Sequence, residues 1–174
     1  MSHALDSFVR DIPDFPKPGI LFKDISPLLR DAGAFSQSVD ALGELYKGQS
    51  LEPTVCAGPE ARGFIFASAL AVRSGLGLVP IRKPGKLPAD VIQVEYDLEY
   101  GTDALQVHSD AISSGDRVLL VDDVLATGGT MEACARLVES SGAKVEGILF
   151  LLELSFLSGR ERLAQYPVHS LLSY

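Results

Sequence analysis

The chain is poor in cysteine, in positive charge and in long apolar runs, and each shortage removes a class of protein. Of 174 residues only two are cysteine, Cys56 and Cys134, far apart and outside any CxxC. That sets aside a cysteine metal cluster and a disulfide framework, and both side chains read as small core residues. Fifteen Lys and Arg stand against 23 Asp and Glu, a formal net charge of −8 with a pI near 4.8. General nucleic-acid binding wants a basic face and does not fit. The longest apolar run, around residues 147–152, has the length of a strand rather than of a bilayer span, so no membrane partner is expected. The opening MSHALDSFVRDIPDF lacks a basic region followed by an apolar core. No secretory signal is expected, and a cytoplasmic location is the simplest reading. His3, His108 and His169 are scattered, none in HExxH, and none is assigned chemistry.

What is present suits one domain. The chain is 47% hydrophobic, enough for a real core, and its sixteen Gly and ten Pro imply many turns. It shows no internal repeat, low-complexity tract or linker. In the first dozen residues Leu5, Phe8, Val9 and Ile12 are spaced like one face of a helix, which PDFPKPG then breaks. A second amphipathic helix is predicted over 31–47, with Phe35, Val39, Leu42 and Leu45 or Tyr46 on one side. Short strands then alternate with helices: strand 54–57, helix 64–73, strand 78–81, strands 91–96 and 104–108 as a hairpin, strand 118–121, helix 131–140 closed by Gly142, and strand 145–152. Repeated strand–turn–helix units indicate an α/β fold, a mostly parallel twisted sheet flanked by helices on both faces. Ligands in such sheets collect at the carboxyl ends of strands. Three chemically loaded turns, GPEARG, RKPGK and DDVLATGGT, are predicted there.

The stretch VLLVDDVLATGGT, residues 118–130, is the most informative. Gly128 and Gly129 allow a tight turn and a close backbone approach to a ligand, while Thr127 and Thr130 supply hydroxyls. With Ala126, and with the outward N–H groups of the helix that follows, they form a cup for a phosphate monoester. The chain has neither GxxxxGK[ST] nor GxGxxG, so this is neither a Walker loop nor a dinucleotide fingerprint. Asp122 and Asp123 would repel phosphate, but they can accept hydrogen bonds from vicinal hydroxyls. Cup and acids together describe a ribose 5-phosphate. The plainer alternative has the acids capping the helix or pairing with Arg117. The basic run IRKPGK, with Arg82, Lys83 and Lys86, is either a solvated loop or an attractor for a small, highly charged anion. Arg62 in GPEARG either forks onto such an anion or pairs with Glu60 or Glu52.

These residues carry a family resemblance. VLLVDDVLATGGT resembles the signature of the type I phosphoribosyltransferases, which use 5-phosphoribosyl diphosphate (PRPP). FPKPGILFKDISPLL (15–29), GPEARGF (58–64), RKPGKLP (82–88) and YDLEYGTD (96–103) are similar, in that order, to the adenine-using branch of that family. The similarity runs from about residue 10 to the C-terminus and includes GRERLA from Gly159. One departure is Lys23, where members often carry Arg; the family reads the base there largely through backbone atoms. The resemblance implies one domain over 1–174, with an N-terminal hood over about 1–33 and a flap over about 90–108. It implies transfer of a phosphoribosyl group from PRPP to adenine, giving AMP and diphosphate in purine salvage, by a cytoplasmic homodimer. Mg²⁺ would arrive mainly through PRPP, with no direct protein ligand.

It further implies roles at matching positions. Glu99 would do acid/base work on adenine, with Glu95 and Asp97 as neighbouring competitors, and Tyr100 would pack over the ligand. Glu60, Ala61, Arg62, Arg82, Lys83 and Lys86 would hold diphosphate, some of the basic-loop cations from across a subunit interface. Asp122 and Asp123 would hold ribose. Leu21, Lys23 and Leu154 would form the adenine slot, although the spacing of Leu21 and Leu154 by itself reads as core. Two other functions stay open: transfer to hypoxanthine, guanine, xanthine or another base, and a regulator that binds PRPP or nucleotides without turnover.

Overall fold

A computed structural model of the chain describes residues 2–97 and 102–174. Its elements, in chain order, are α1 (Ser2–Asp6), β1 (Arg10–Pro13), β2 (Leu21–Asp24), α2 (Ser26–Arg30), α3 (Ala32–Gly48), β3 (Val55–Pro59), α4 (Gly63–Ser74), β4 (Gly77–Ile81), β5 (Val91–Asp97), β6 (Thr102–His108), β7 (Arg117–Leu125), α5 (Gly129–Ser140), β8 (Lys144–Glu153), α6 (Gly159–Arg162) and β9 (Val168–Ser173). Five strands form one wholly parallel sheet in the order β4-β3-β7-β8-β9. The chain leaves β3 for β4 on one side and returns to β7 on the other. The crevice between the carboxyl ends of β3 and β7 is therefore the switch point of the sheet, where α/β folds place ligands.

Alternation along β7 builds two cores. Leu119 and Val121 face α3 and α4, against Phe66, Leu70 and Leu42. Val118 and Leu120 face α5 and the β5–β6 hairpin, against Cys134, Leu137, Leu105 and Val107. Strand β8 is buried on both faces from Val145 to Glu153, which is why it reads as a continuous apolar run. Both cysteines are free and fully buried, and burial pushes the Cys56 thiol up to about 12. Asp31 caps α3, its carboxylate accepting from Ala34 N–H at 2.8 Å.

The N-terminal segment departs from its periodicity. The helix predicted for the first dozen residues stops at Asp6, and Arg10–Pro13 pairs antiparallel with Leu21–Asp24. Phe8 and Val9 still pack on the α3 core, so their spacing reported burial rather than helix. Pro13 holds the residue before it extended, and Pro16 and Pro18 prevent any return to helix. Asp24 locks this small sheet. It accepts from Arg10 Nε at 3.0 Å and from the Ser26 hydroxyl at 2.6 Å and amide at 2.9 Å. These Ser26 bonds, then Arg10, pull its carboxyl down to about 2. Among the described residues no helix is long and apolar enough to cross a membrane.

Candidate active site

Strand β7 runs further than the sequence suggests. Its pairing with β8 continues through Asp122↔Phe150 to Leu125↔Glu153, so Asp122 and Asp123 are strand residues near its carboxyl end. The length of the apolar run in β8, rather than the composition of β7, sets that end. Next comes the turn. Gly128 takes φ +83°, left-handed backbone that favours glycine, and α5 starts at Gly129 with no side-chain hydrogen bond capping it. The first N–H groups of an α-helix have no intrahelical acceptor, so this end presents donors and partial positive charge.

A cleft of about 430 Å³ lies over this end. It brings together Glu60, Ala61 and Arg62 after β3, Asp122 and Asp123 on β7, and Ala126, Thr127, Gly128, Gly129 and Thr130 between β7 and α5. Met131 and Phe150 supply apolar wall. Across it Arg62 Nε lies 2.6 Å from Asp123 Oδ2. The N–H is not directed at that oxygen, so Asp123 Oδ2 is charge-compensated yet buried without a hydrogen-bond donor. The sequence offered Glu60 or Glu52 as partners for Arg62; the structure gives Asp123 instead. Glu60 pairs with Arg82, whose Nε is 3.0 Å from Oε2, and Arg117 donates to the Glu52 carbonyl. The Arg62 guanidinium also stands 5.8 Å from the Phe22 ring centroid, which ties β2 to the cleft.

The two acids share one electrostatic environment. Burial raises the Asp122 carboxyl well above the ordinary aspartate range, and the neighbouring Asp123 charge adds to this. Burial also raises Asp123, against the opposing pull of Arg62. Asp122 Oδ1 accepts from the Asp123 amide at 2.8 Å, which fixes its orientation.

The remaining sequence candidates lie around the cleft. Lys83 bonds Asp103 and the Tyr96 hydroxyl, at 3.1 Å for the latter, joining the basic loop to the hairpin. Arg82 exchanges backbone hydrogen bonds with Gln106 on β6. Lys86 is exposed. Leu21, on β2, is 46% exposed. Leu154 is half-buried just beyond β8, its N–H donating to Leu125 O at 2.9 Å. The Lys23 ammonium sits 2.6 Å from Asp11 Oδ1 and 3.9 Å from the Tyr174 ring centroid, so its side chain is committed to β1 and the C-terminal Tyr174. None of Leu21, Lys23 and Leu154 lines the cleft. Glu99 and Tyr100 lie outside the described residues; Glu95 is exposed on β5.

Sequence reasoning missed α2, β9, the Phe22–Arg62 contact and the Arg62–Asp123 pair. A single apolar position gives no distance, and nothing local in GPEARG points to an acid sixty residues on.

Comparisons with known proteins agree with this geometry. A model of the phosphoribosyl transferase domain matches residues 29–163. An adenine phosphoribosyltransferase of Roseiflexus sp. (strain RS-1) is 55% identical over 174 residues, covering 100% of both chains. The crystal structure of adenine phosphoribosyltransferase from Thermoanaerobacter pseudethanolicus superposes with a TM-score of 0.96 at 52% identity, over 100% of both chains. The Saccharomyces cerevisiae adenine phosphoribosyltransferase complexed with D-2,5-dideoxy-2,5-imino-altritol 1,6-bisphosphate and adenine superposes with a TM-score of 0.94 at 38% identity, over 98% of each chain. The chain therefore belongs to the phosphoribosyltransferase family, on its adenine phosphoribosyltransferase branch.

Proposed function

We propose that this protein transfers the 5-phosphoribosyl group of PRPP to adenine, giving AMP and diphosphate for purine salvage. The single observation that carries the reading is the cleft at the switch point. There the loop of residues 126–130, the half-buried Asp122, the buried Asp123 and Arg62 line one cleft of about 430 Å³. The yeast relative's complex with adenine and an imino-altritol bisphosphate supports the same pairing of a base with a doubly phosphorylated sugar.

In this reading the 5-phosphate lies in the cup of residues 126–130. Asp123 Oδ2 and the Asp122 carboxylate accept from the ribose hydroxyls. Arg62, with Glu60 and Ala61 beside it and Arg82, Lys83 and Lys86 further out, faces the diphosphate. The C1–O bond to diphosphate breaks, a C1–N bond to a ring nitrogen of adenine forms, and that nitrogen gives up its proton. Positive charge develops on the sugar meanwhile, so the acids at the ribose lend compensating potential. Holding the far end of the sugar turns remote binding energy into orientation at C1. Residues of about 1–33 act as a hood over adenine, with Leu21, Lys23 and Leu154 forming its slot. Residues of about 90–108 act as a flap that excludes water, with Tyr100 over the ligand.

Among the described residues no three His, Cys, Asp or Glu cluster as a metal cage. That suits a Mg²⁺ ion that would come in mainly on the phosphate oxygens of PRPP, with no direct protein ligand. When bound, the ion offsets charge on the diphosphate. The working form is a cytoplasmic homodimer, as the family resemblance implies. Neither nucleic acid nor membrane is a partner, in keeping with the net charge of −8.

Incubating the protein with PRPP, Mg²⁺ and a panel of nucleobases tests the whole reading. Adenine alone is expected to release diphosphate and yield AMP, and light scattering on the same sample is expected to give twice the chain mass. A different nucleotide would move the enzyme to another base. Tight PRPP binding without diphosphate release would make it a regulator. Glu99 is the proposed acid/base group, so pH–rate profiles should show a larger loss for Glu99→Gln than for Glu95→Gln, and the reverse order would transfer the role.

A further inference from the structure

The GRERLA stretch has no part in the chemistry above, yet its first residue presses on the phosphate cup. Gly159 is buried, and a Cβ there would overlap the Ala126 carbonyl oxygen and come within 2.9 Å of Leu125 Cδ1. A Cβ on Gly128 would in turn lie 2.6 Å from the Gly159 carbonyl oxygen. The loop of the cup and the start of α6 thus meet backbone to backbone, with no side chain between them. The Ala126 carbonyl points at Gly159. The peptide that follows is trans, so the Thr127 N–H lies in the same plane as that carbonyl and points the opposite way. Pinning the carbonyl fixes the direction of the amide.

What holds α6 in place is the next residue. Arg160 Nε donates to both oxygens of Glu153, at 2.7 and 2.8 Å, while Nη1 reaches the Val168 carbonyl at 2.7 Å and Nη2 the Ser170 hydroxyl at 3.0 Å. Ser170 closes the ring by donating to Glu153 Oε2 at 2.9 Å. Glu153 is 7% exposed and ends β8, directly beside Leu125 of β7. One guanidinium therefore binds α6 to the end of β8 and the first half of β9, one residue from the seam with the cup. Leu163, fully buried, anchors the far side.

We propose that Arg160 is a positioning residue for phosphoribosyl binding: clamped to Glu153, it seats Gly159 against Ala126 and so aims the amides of the cup. This rests on reading residues 126–130 as the 5-phosphate site. The fork matters, because a lysine can meet one of these acceptors but not span them all.

The test measures PRPP and adenine KM, kcat, and the Kd of ribose 5-phosphate by calorimetry, for Arg160→Ala, Arg160→Lys and Thr130→Ala. In Arg160→Ala, PRPP KM and ribose 5-phosphate Kd should rise about five- to tenfold while adenine KM stays within about twofold, since small misplacement of a binding group is costly. Arg160→Lys should recover part of the loss. A folded Arg160→Ala with unchanged PRPP KM, or with both KM values rising in step, overturns the proposal. If Arg160→Ala does not fold, Arg160→Lys decides by the same split between the two KM values. Thr130→Ala separates the two ideas. If it weakens ribose 5-phosphate while the Arg160 variants do not, the cup stands and the clamp fails; if neither weakens it, both fail.

Discussion

Replacing Arg62 by alanine is expected to lower kcat by about 10²–10³-fold, the loss seen when one fixed donor is removed from a developing anion. Arg62 follows β3, lines the cleft and is held by Asp123 at 2.6 Å and by the face of Phe22. On the proposed reading its guanidinium is placed before the diphosphate arrives, and little reorganisation is needed as charge builds on the leaving group. The cost to folding should be far smaller. The side chain is 46% exposed, so water can take over part of what it does for Asp123. A loss of about 1 kcal/mol, or roughly 2–4 °C in Tm, is the expected scale for a chain of this size. Arg62→Lys should fall between the two, keeping the charge but losing the fork. Steady-state kinetics with a melting curve on the same preparation read both effects. Near-normal turnover in Arg62→Ala would remove this residue from the mechanism.

Much of the architecture was legible because two physical signals are strong in this chain. Runs such as VLLV and GILFLL can only be buried strands, and the α5 segment keeps Met131, Cys134, Leu137 and Val138 on one buried face. Gly128 and Gly129 between strand and helix marked a tight turn, and Gly128 takes left-handed backbone there. Other features are settled by partners remote in sequence. The extent of β7 depends on β8, and β9 forms only because β8 offers it an edge. Residues 10–13 and 21–24 pair as a sheet around a proline-rich turn that forbids helix, although the apolar spacing of the first dozen residues fits one. Charged pairs were the least legible. Arg62 to Asp123, Arg160 to Glu153 and Lys83 to Asp103 each cross between elements, and composition cannot choose among 23 acids for each cation.

Asp122→Asn is expected to make the protein more stable and less active, and the pH dependence of the gain identifies its cause. Burial and the adjacent Asp123 charge raise the Asp122 carboxyl in the folded state. A raised folded value means that the native state holds its proton more tightly than the unfolded chain does. The stabilising contribution is then complete below the unfolded value of about 3.9 and is lost as pH rises through the folded value. Asparagine cannot ionise, so the variant escapes that loss. Its Tm should match the parent near pH 4 and exceed it increasingly toward neutral pH, by about 2–4 °C for each kcal/mol relieved. The asparagine oxygen can still accept from the Asp123 amide, so the local backbone is kept. Catalysis should move the other way. A hydrogen bond from a ribose hydroxyl to a charged acceptor contributes about 1.5–3 kcal/mol, so kcat/KM for PRPP should fall by about 10–150-fold. Asp123→Asn should show a comparable kinetic loss with less gain in stability, because Arg62 already offsets part of the burial cost at that position. Melting curves from pH 4 to 8, together with PRPP kinetics, check both halves. Unchanged kinetics in both variants would end the ribose assignment, and a Tm gain independent of pH would show that the two acids are not held in the folded protein at the expense of its stability.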